Sequence, residues 1–297
     1  MLTAVVISFN RRECLRRCLD GFYAQRGGVP FEIVVIDQGS TDGSLDLVRS
    51  DQARHPELRL DVLPDPSLNA KRNRGLELAR YDRVAFIDDD AVPDPDWIAA
   101  LARAFAAPGR AIVTGSVLPL TPGYRRTVRD DPRPRLWQNR FLDKLVIWRC
   151  GCGTNMAVSR ACVEKIGTFD PAVGTGTALG GCGDEVDYFL RALDAGLAIQ
   201  YDPAVRVHHH QSADPAVLER RMWNYYYGIA VLMRRKYARH PVARPMMALR
   251  LGHAACLLAA HALLFRRDLV RGDLCAIRGT VKGWFGAQPA SVVARVS

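Results

Sequence analysis

The sequence predicts an α/β fold: a Rossmann-like, mostly parallel sheet flanked by helices, followed by a C-terminal helical extension. Three observations lead there. Short apolar, β-rich runs alternate with amphipathic segments through the first hundred residues. Polar or acidic clusters stand directly after three of those runs. From Val217 onward the pattern is helical and strongly basic.

The elements follow in order. "TAVVISFN" is a short apolar run ending in polar residues, which reads as a buried strand. "RRECLRRCLDGFYAQ" places Leu15, Cys18, Leu19 and Phe22 at helical spacing. "FEIVVIDQGS" is a second strand, and "TDGSLDLVRSDQAR" a helix with Thr41 and Asp42 as capping candidates. "LRLDVLP", "NAKRNRGLELAR" and "RVAFIDDD" repeat the strand–helix–strand rhythm, which argues for parallel strands with helices on both faces. "WIAALARAFAA" then reads as a helix and "AIVTGSVLPL" as a strand. Residues 121–149, rich in proline and Lys/Arg, read as a long irregular excursion. "GTNMAVSR" is a strand before a short helix, "GTGTALGG" a glycine-rich loop, "DEVDYFLRALDAG" a helix and "AIQYDPAVRVHHHQ" a strand entry. The expected division is 1–216 for the α/β domain and 217–297 for the basic helical region.

The 297 residues, 48% hydrophobic, suffice for a real core. The tail from Val217 carries 14 Lys/Arg against 3 Asp/Glu, while the other 216 residues carry 27 against 28. A neutral body with a basic tail suggests an anionic membrane surface or simply a solvated helix face. Basic and aromatic residues in "RMWNYYYG" are too little to argue for nucleic acid. None of the eight cysteines forms paired CxxC motifs, so a structural zinc site is not expected, and reduced thiols in a cytosolic protein are the simplest reading. The N-terminus has no signal-peptide pattern. The apolar stretch Leu251–Phe265 falls short of the ~20 residues of a bilayer span, so no transmembrane helix is expected. On a helix, Arg250, His253 and His261 would share an arc of roughly 80°, giving an amphipathic helix with a narrow polar strip.

In an open parallel sheet, ligands bind beyond the carboxyl ends of the strands. Ser8 to Asn10, Asp37 to Ser40 and Asp88 to Asp90 all fall at such ends. Three consecutive carboxylates after an apolar strand repel one another. A divalent cation resolves that conflict, and oxygen ligands favour Mg²⁺ or Mn²⁺. Mg²⁺ is commonly shared between one or two carboxylates and substrate phosphates, so a nucleoside diphosphate is the natural cargo. A helix N-terminus rich in acids would account for Asp94 and Asp96, but not for Asp88 to Asp90.

In their order, "VVISFNR", "VVIDQGSTDGS", "NAKRNRGLELA", "FIDDDAVPDPDW", "GTNMAVSR", "GDEVDYFLRALDAG" and "YDPAVRVHHH" resemble the family-two inverting glycosyltransferases of GT-A fold. The resemblance spans about residues 1–230. It implies a nucleoside-diphosphate sugar donor, a Mn²⁺ or Mg²⁺ cofactor, and a glycan, lipid-linked or small-molecule acceptor. It also implies roles by position. Asp88 and Asp90 are the ends of the DxD motif, with Asp90 on the metal and Asp88 on the ribose or the metal. Ser8 and Asp37 line the base, with Asn10, Gln38 and Asp89 in the same donor-binding set. Arg72 approaches the diphosphate or the base, and Asn155 the sugar and acceptor.

Two departures matter. The family usually shows Glu-Asp where this chain has Asp184-Glu185, so the carboxylate that deprotonates the acceptor falls on Glu185, with Asp184 the alternative. Both also suit a helix start, Asp184 as a cap and Glu185 against the dipole. Gln38 replaces the family's usual Asp or Asn, and an amide reads several bases. The family's metal-binding histidine is best matched by His209. Strand alternation places His208 and His210 on the opposite face. The glycines of 174–181 suit a mobile loop under the acceptor or a plain surface loop. Cys150, Cys152 and Cys182 read as small buried residues.

The expected function is metal-dependent, inverting glycosyl transfer, set in bacterial cell-surface glycan assembly or on a small molecule. The expected location is cytoplasmic, on the inner membrane face. A nucleotidyltransferase would need a glycine-rich phosphate loop after the first strand, and "SFNRREC" lacks one. A non-catalytic nucleotide-sugar-binding or membrane scaffold is the other rival, supported only by the Asp184-Glu185 order.

Overall fold

The computed structural model describes residues 1–120, 131–177, 180–210 and 214–286. The strands β1 (Leu2–Ser8), β2 (Phe31–Asp37), β3 (Leu58–Val62) and β4 (Arg83–Asp88) alternate with helices α1 (Arg12–Tyr23), α2 (Ser44–Gln52) and α3 (Leu68–Leu78). They pair in parallel in the order β3-β2-β1-β4. β1 and β2 are buried on both faces, as their continuous apolar runs require. Beyond β4 the sheet changes character. β8 (Met156–Ser159) pairs antiparallel with β4 and with β6 (Arg110–Pro119), and β6 pairs parallel with the long β9 (Ala198–His209). Two three-residue strands, β5 (Ala91–Pro93) and β7 (Arg135–Trp137), add antiparallel edges to β9. Helices α4 (Trp97–Ala106), α6 (Arg160–Ile166) and α7 (Asp184–Asp194) cover the faces.

Several local expectations shift. α2 starts at Ser44, where the Asp42 carboxylate takes the Ser44 amide at 3.0 Å; Thr41 plays no such part. Residues 121–149 are not wholly irregular: beyond 121–130, which lie outside the described residues, they form β7, the short helix α5 (Phe141–Leu145) and a 3₁₀ turn at Ile147–Arg149. β5 is too short and too close to the Pro-rich "VPDPDW" to be legible as a strand.

The basic C-terminal region forms α8 (Pro215–Arg235), α9 (Ala243–Leu263) and α10 (Arg267–Phe285). It is not an appendage. Ile229, Leu232, Met233, Val242, Met246 and Met247 share one core with Val5, Phe86, Ile112 and Phe189 of the α/β part. Polar ties pin the segment just after α8 to α7: Asp187 takes the Tyr237 hydroxyl at 2.7 Å and the Lys236 ammonium at 2.8 Å.

α9 departs from its expected amphipathic form. Arg250 is only 4% exposed, His253 faces outward, and His261 pairs with Asp273 of α10 at 2.6 Å. The exposed side instead carries Leu249 and, at its C-terminal end, Leu263, with Leu264 and Phe265 just beyond. The helix also extends eight residues N-terminal of the apolar stretch Leu251–Phe265. Its 21 residues are long and apolar enough to cross a membrane by length and composition.

The glycine-rich loop is held tightly where it is described. Gly174 and Gly176 both have positive φ, and a Cβ on Gly176 would sit 1.8 Å from the Pro66 carbonyl oxygen. Leu68 donates its amide to Thr175, and Cys182 donates to Asn224 of α8. Residues 178–179, the middle of the expected mobile segment, lie outside the described residues.

Candidate active site

Sheet register assembles the site. Ser8 is opposite Asp37, and Ile7 is opposite Asp88, so three strand ends stand side by side at the C-terminal edge. The antiparallel pairing of β5 with β9 sets Ala91 opposite His209. The His210 amide donates to the Asp90 carbonyl at 2.7 Å, which fixes the histidine beside the acidic turn. One ligand atom each from Asp88, Asp90 and His209 then falls within a 4.8 Å cluster. His208 turns away, its Nε2 lying 3.9 Å from Asp94, and His210 is exposed.

The donor set fits a divalent cation. His209 Nε2 and Asp90 Oδ1 lie 3.0 Å apart, yet Asp90 Oδ1 is buried without a well-formed hydrogen bond. Two ligand atoms face each other at a distance that a shared cation would bridge. Burial, followed by the neighbouring Asp90 charge, pushes the Asp88 carboxyl up. Burial opposes ionisation of Asp90 as well, but His209 and Arg11 outweigh it and hold that carboxyl low. His209 answers in kind: burial works against its charge, and Asp90 raises it nonetheless.

Asp89 points the other way. It accepts the Phe9 amide at 3.3 Å and pairs with Arg11 at 3.1 Å, and burial lifts it to about 7. Arg11, which also reaches Asp90 at 2.7 Å, was missed in the sequence. Its adjacency to the strand end at Ser8 was the available signal.

A cavity of about 730 Å³ opens over this edge. It is lined by Ser8, Phe9, Gln38 and Lys71, by the acidic triplet and His209, and by Trp148, Cys152, Cys182, Arg221, Tyr225, Tyr226 and Arg250. The Ser8 hydroxyl is buried without a partner, available to a ligand. Gln38 accepts Lys71 Nζ at 2.7 Å, and burial lowers the lysine. All cysteines are free thiols.

Other predicted residues support the site from behind its wall. Asp37 is 1% exposed and spends its carboxylate on Gly39, on the Ser40 amide and on the Ser40 hydroxyl, shaping the turn after β2. Asn10, in the left-handed region at φ 49°, accepts the Thr41 amide and ties the turns after β1 and β2 together. Asn155 is fully buried. It accepts from Trp97 Nε1 at 2.9 Å and donates to the carbonyls of Ser116 and Val205, joining α4, β6 and β9. None of these three lines the cavity.

The two candidate bases are separated by their partners. Asp184 is the first residue of α7 and forms a buried ion pair with Arg72, which also binds Asn69 at 3.0 Å and lies over the Phe169 ring. Asp184 thus neither caps the helix nor stands open, and Arg72 faces this carboxylate instead of the cavity. The pair spans 112 positions in sequence, beyond the reach of any local pattern. Glu185 instead accepts the Tyr225 hydroxyl of α8 at 2.9 Å. Burial, and then the Asp184 charge, raise its carboxyl to about 7. Glu185 stands directly behind Tyr225, which lines the cavity.

The carboxylates and histidine gather at the strand ends, and the buried Glu185 bonds to Tyr225 of the cavity lining. The chain belongs to glycosyl transferase family 2, whose sequence profile matches residues 3–167. It is 24% identical over 203 residues to the glycosyltransferase AglE of Haloferax volcanii, covering 67% of this chain and 64% of that protein. It is 25% identical over 215 residues to the pre-mycofactocin glycosyltransferase of Mycobacterium tuberculosis, covering 70% of this chain and 42% of that protein. The chain thus spans less than two thirds of the length of either relative. Among solved structures, the Pyrobaculum calidifontis mannosyltransferase PcManGT in complex with GDP-Man and Mn²⁺ superposes with a TM-score of 0.60 at 22% identity, over 96% of this chain and 87% of that one. Residues 1–349 of Staphylococcus aureus TarS in complex with UDP-GlcNAc give 0.58 at 13% identity, over 95% and 90%. These likenesses establish the fold.

The Arg72–Asp184 pair generates a prediction. Asp184→Ala leaves a buried guanidinium without its counter-charge and should destabilise the protein by about 3–5 kcal/mol. Chemical denaturation reads this directly. An unchanged denaturation midpoint would show that the pair carries no such load.

Proposed function

We propose that this chain is an inverting, metal-dependent glycosyltransferase that moves a sugar from a nucleoside-diphosphate donor to an acceptor hydroxyl. The observation that carries the reading is one cavity lined by the Asp88–Asp90–His209 cluster and by Tyr225, whose hydroxyl donates to Glu185. Asp88, Asp90 and His209 would hold Mn²⁺ or Mg²⁺, which when bound neutralises charge on the leaving diphosphate. Ser8 and Gln38 face the base, and Lys71 adds positive charge on the donor side. Glu185 takes the acceptor proton; the acceptor oxygen forms its bond to the anomeric carbon as the glycosyl–phosphate bond breaks on the opposite face. Tyr225 is a positioning residue: the acceptor hydroxyl takes the place of its hydroxyl on Glu185.

A carboxyl raised to about 7 suits a base that must accept a proton near neutrality and then release it. PcManGT with GDP-Man and TarS with UDP-GlcNAc, both of this fold, support a nucleoside-diphosphate sugar as donor without choosing its base. Assembly of a bacterial surface glycan or glycoconjugate is the setting that fits a family-two enzyme with a basic, partly apolar tail. The exposed apolar side of α9 supports contact with a membrane and hence a lipid-linked acceptor. Glycosylation of a small molecule is the second reading, favoured by the similarity to the pre-mycofactocin glycosyltransferase.

Two outcomes are expected. Glu185→Gln should lower kcat by ~100-fold or more while nucleotide binding persists, measured by donor turnover and calorimetry. Full activity would remove Glu185 as the base. Because the base works only when ionised, kcat/KM of the wild type should rise with pH through about 7 and then level off. Tyr225→Phe removes a hydrogen bond that favours the ionised carboxylate, so the acidic limb of that profile should move to higher pH. A shift to lower pH would contradict the assignment.

A further inference from the structure

Arg250 is a buried cation with no anion beside it among the described residues. It projects from α9 into the wall of the same cavity, which Trp148, Tyr225 and Tyr226 also line. Its guanidinium carbon lies over two rings, 4.9 Å from the Trp148 centroid and 4.2 Å from that of Tyr226. The ring faces attract the cation. They do nothing for its N–H bonds, which lie in the plane. Nε and Nη2 are both buried and without a hydrogen-bond partner. Those two nitrogens form one edge of the guanidinium, and their N–H bonds point the same way. That edge matches two oxygens of a phosphate or a carboxylate.

A buried charge is normally paired, and the charged partners of the other buried arginine, Arg72, are plain. The titratable groups that act on Arg250 are Tyr226 and Tyr225, not a described carboxylate. Burial pulls its pKa down to about 10, so it remains a cation at neutral pH. Tyr225, which holds Glu185, is also one of the groups that act on Arg250, so on the proposed roles Arg250 neighbours the residue that would meet the acceptor.

We propose that Arg250 binds an oxyanion of the acceptor, a phosphate or carboxylate seated against its Nε–Nη2 edge beside Trp148 and Tyr226. The proposal rests on the glycosyltransferase reading for the identity of the ligand as an acceptor. The acceptor is then an acidic molecule, whose charged group docks at Arg250 while its hydroxyl approaches Glu185.

The test uses the full chain in chelator, with the metal cluster silent, and reads tryptophan fluorescence, because Trp148 stacks on the guanidinium. The probes are phenyl phosphate, farnesyl phosphate, benzoate and neutral phenyl glucoside. The expected result is saturable quenching by an anionic probe and none by the glucoside, with affinity lost at least tenfold in Arg250→Gln and partly kept in Arg250→Lys. Trp148→Phe should abolish the signal. Tighter binding of a phosphate than of benzoate names the oxyanion, and farnesyl over phenyl phosphate names a lipid source. Saturation that is equal in Arg250→Gln, or absent in a wild type of native circular dichroism, overturns the proposal. So does displacement of the probe by UDP or GDP with Mn²⁺, which would place the anion in the donor site. If Arg250→Gln fails to fold, Arg250→Lys decides: weaker anion binding with native circular dichroism supports the proposal, and anion binding equal to the wild type overturns it. Mn²⁺-dependent nucleotide binding, measured separately, reports on the glycosyltransferase reading and is independent of all these results.

Discussion

The structure depends on holding like charges together at the end of one strand. Asp88, Asp89 and Asp90 follow β4 within a few ångströms of one another, in a wall that burial makes hostile to charge. Much of the surrounding architecture is an answer to that conflict. Arg11 at the start of α1 reaches two of the three, and the β5–β9 pairing delivers His209 to Asp90. What these groups leave incomplete is a set of ligand atoms within 4.8 Å, with a buried Asp90 oxygen lacking a good hydrogen bond. A cation bridging to a diphosphate would finish the compensation, and chemistry on that diphosphate follows from the same arrangement.

The second half of the site comes from the C-terminal helices. α8 supplies Tyr225, Tyr226 and Arg221 to the cavity, and α9 supplies Arg250. The charge excess of this region is therefore not only a surface property. One of its arginines is turned inward, and the outer side of its helix is left apolar. That inversion places one residue of α9 in the cavity lining while its outer side stays exposed.

Legibility in the sequence tracked locality. β1 to β4 and the three polar strand ends were readable, because buried parallel strands are continuous apolar runs and ligand positions follow directly after them. His209 was singled out by the family resemblance, and strand alternation set His208 and His210 on the other face. The order of Asp184 and Glu185 could be read, but not their different partners, Arg72 from α3 and Tyr225 from α8. Asn155 resembled a ligand position and is instead a buried junction of three elements. The tail misled for a related reason: helical periodicity finds a polar stripe but does not say which side the protein covers. Arg250 on that stripe faces the protein interior because Trp148 and Tyr226, about a hundred and about twenty-five residues earlier in the chain, are folded against it.

The central claim is that the carboxylates after β4 and His209 hold a metal shared with a nucleoside diphosphate. Calorimetric titration of the full chain with UDP, dTDP and GDP, each with Mn²⁺ and again with chelator, tests it most directly. The account predicts saturable binding of one of these diphosphates that disappears on chelation. Binding of none of them in the presence of Mn²⁺, or binding that chelation leaves unchanged, would contradict it.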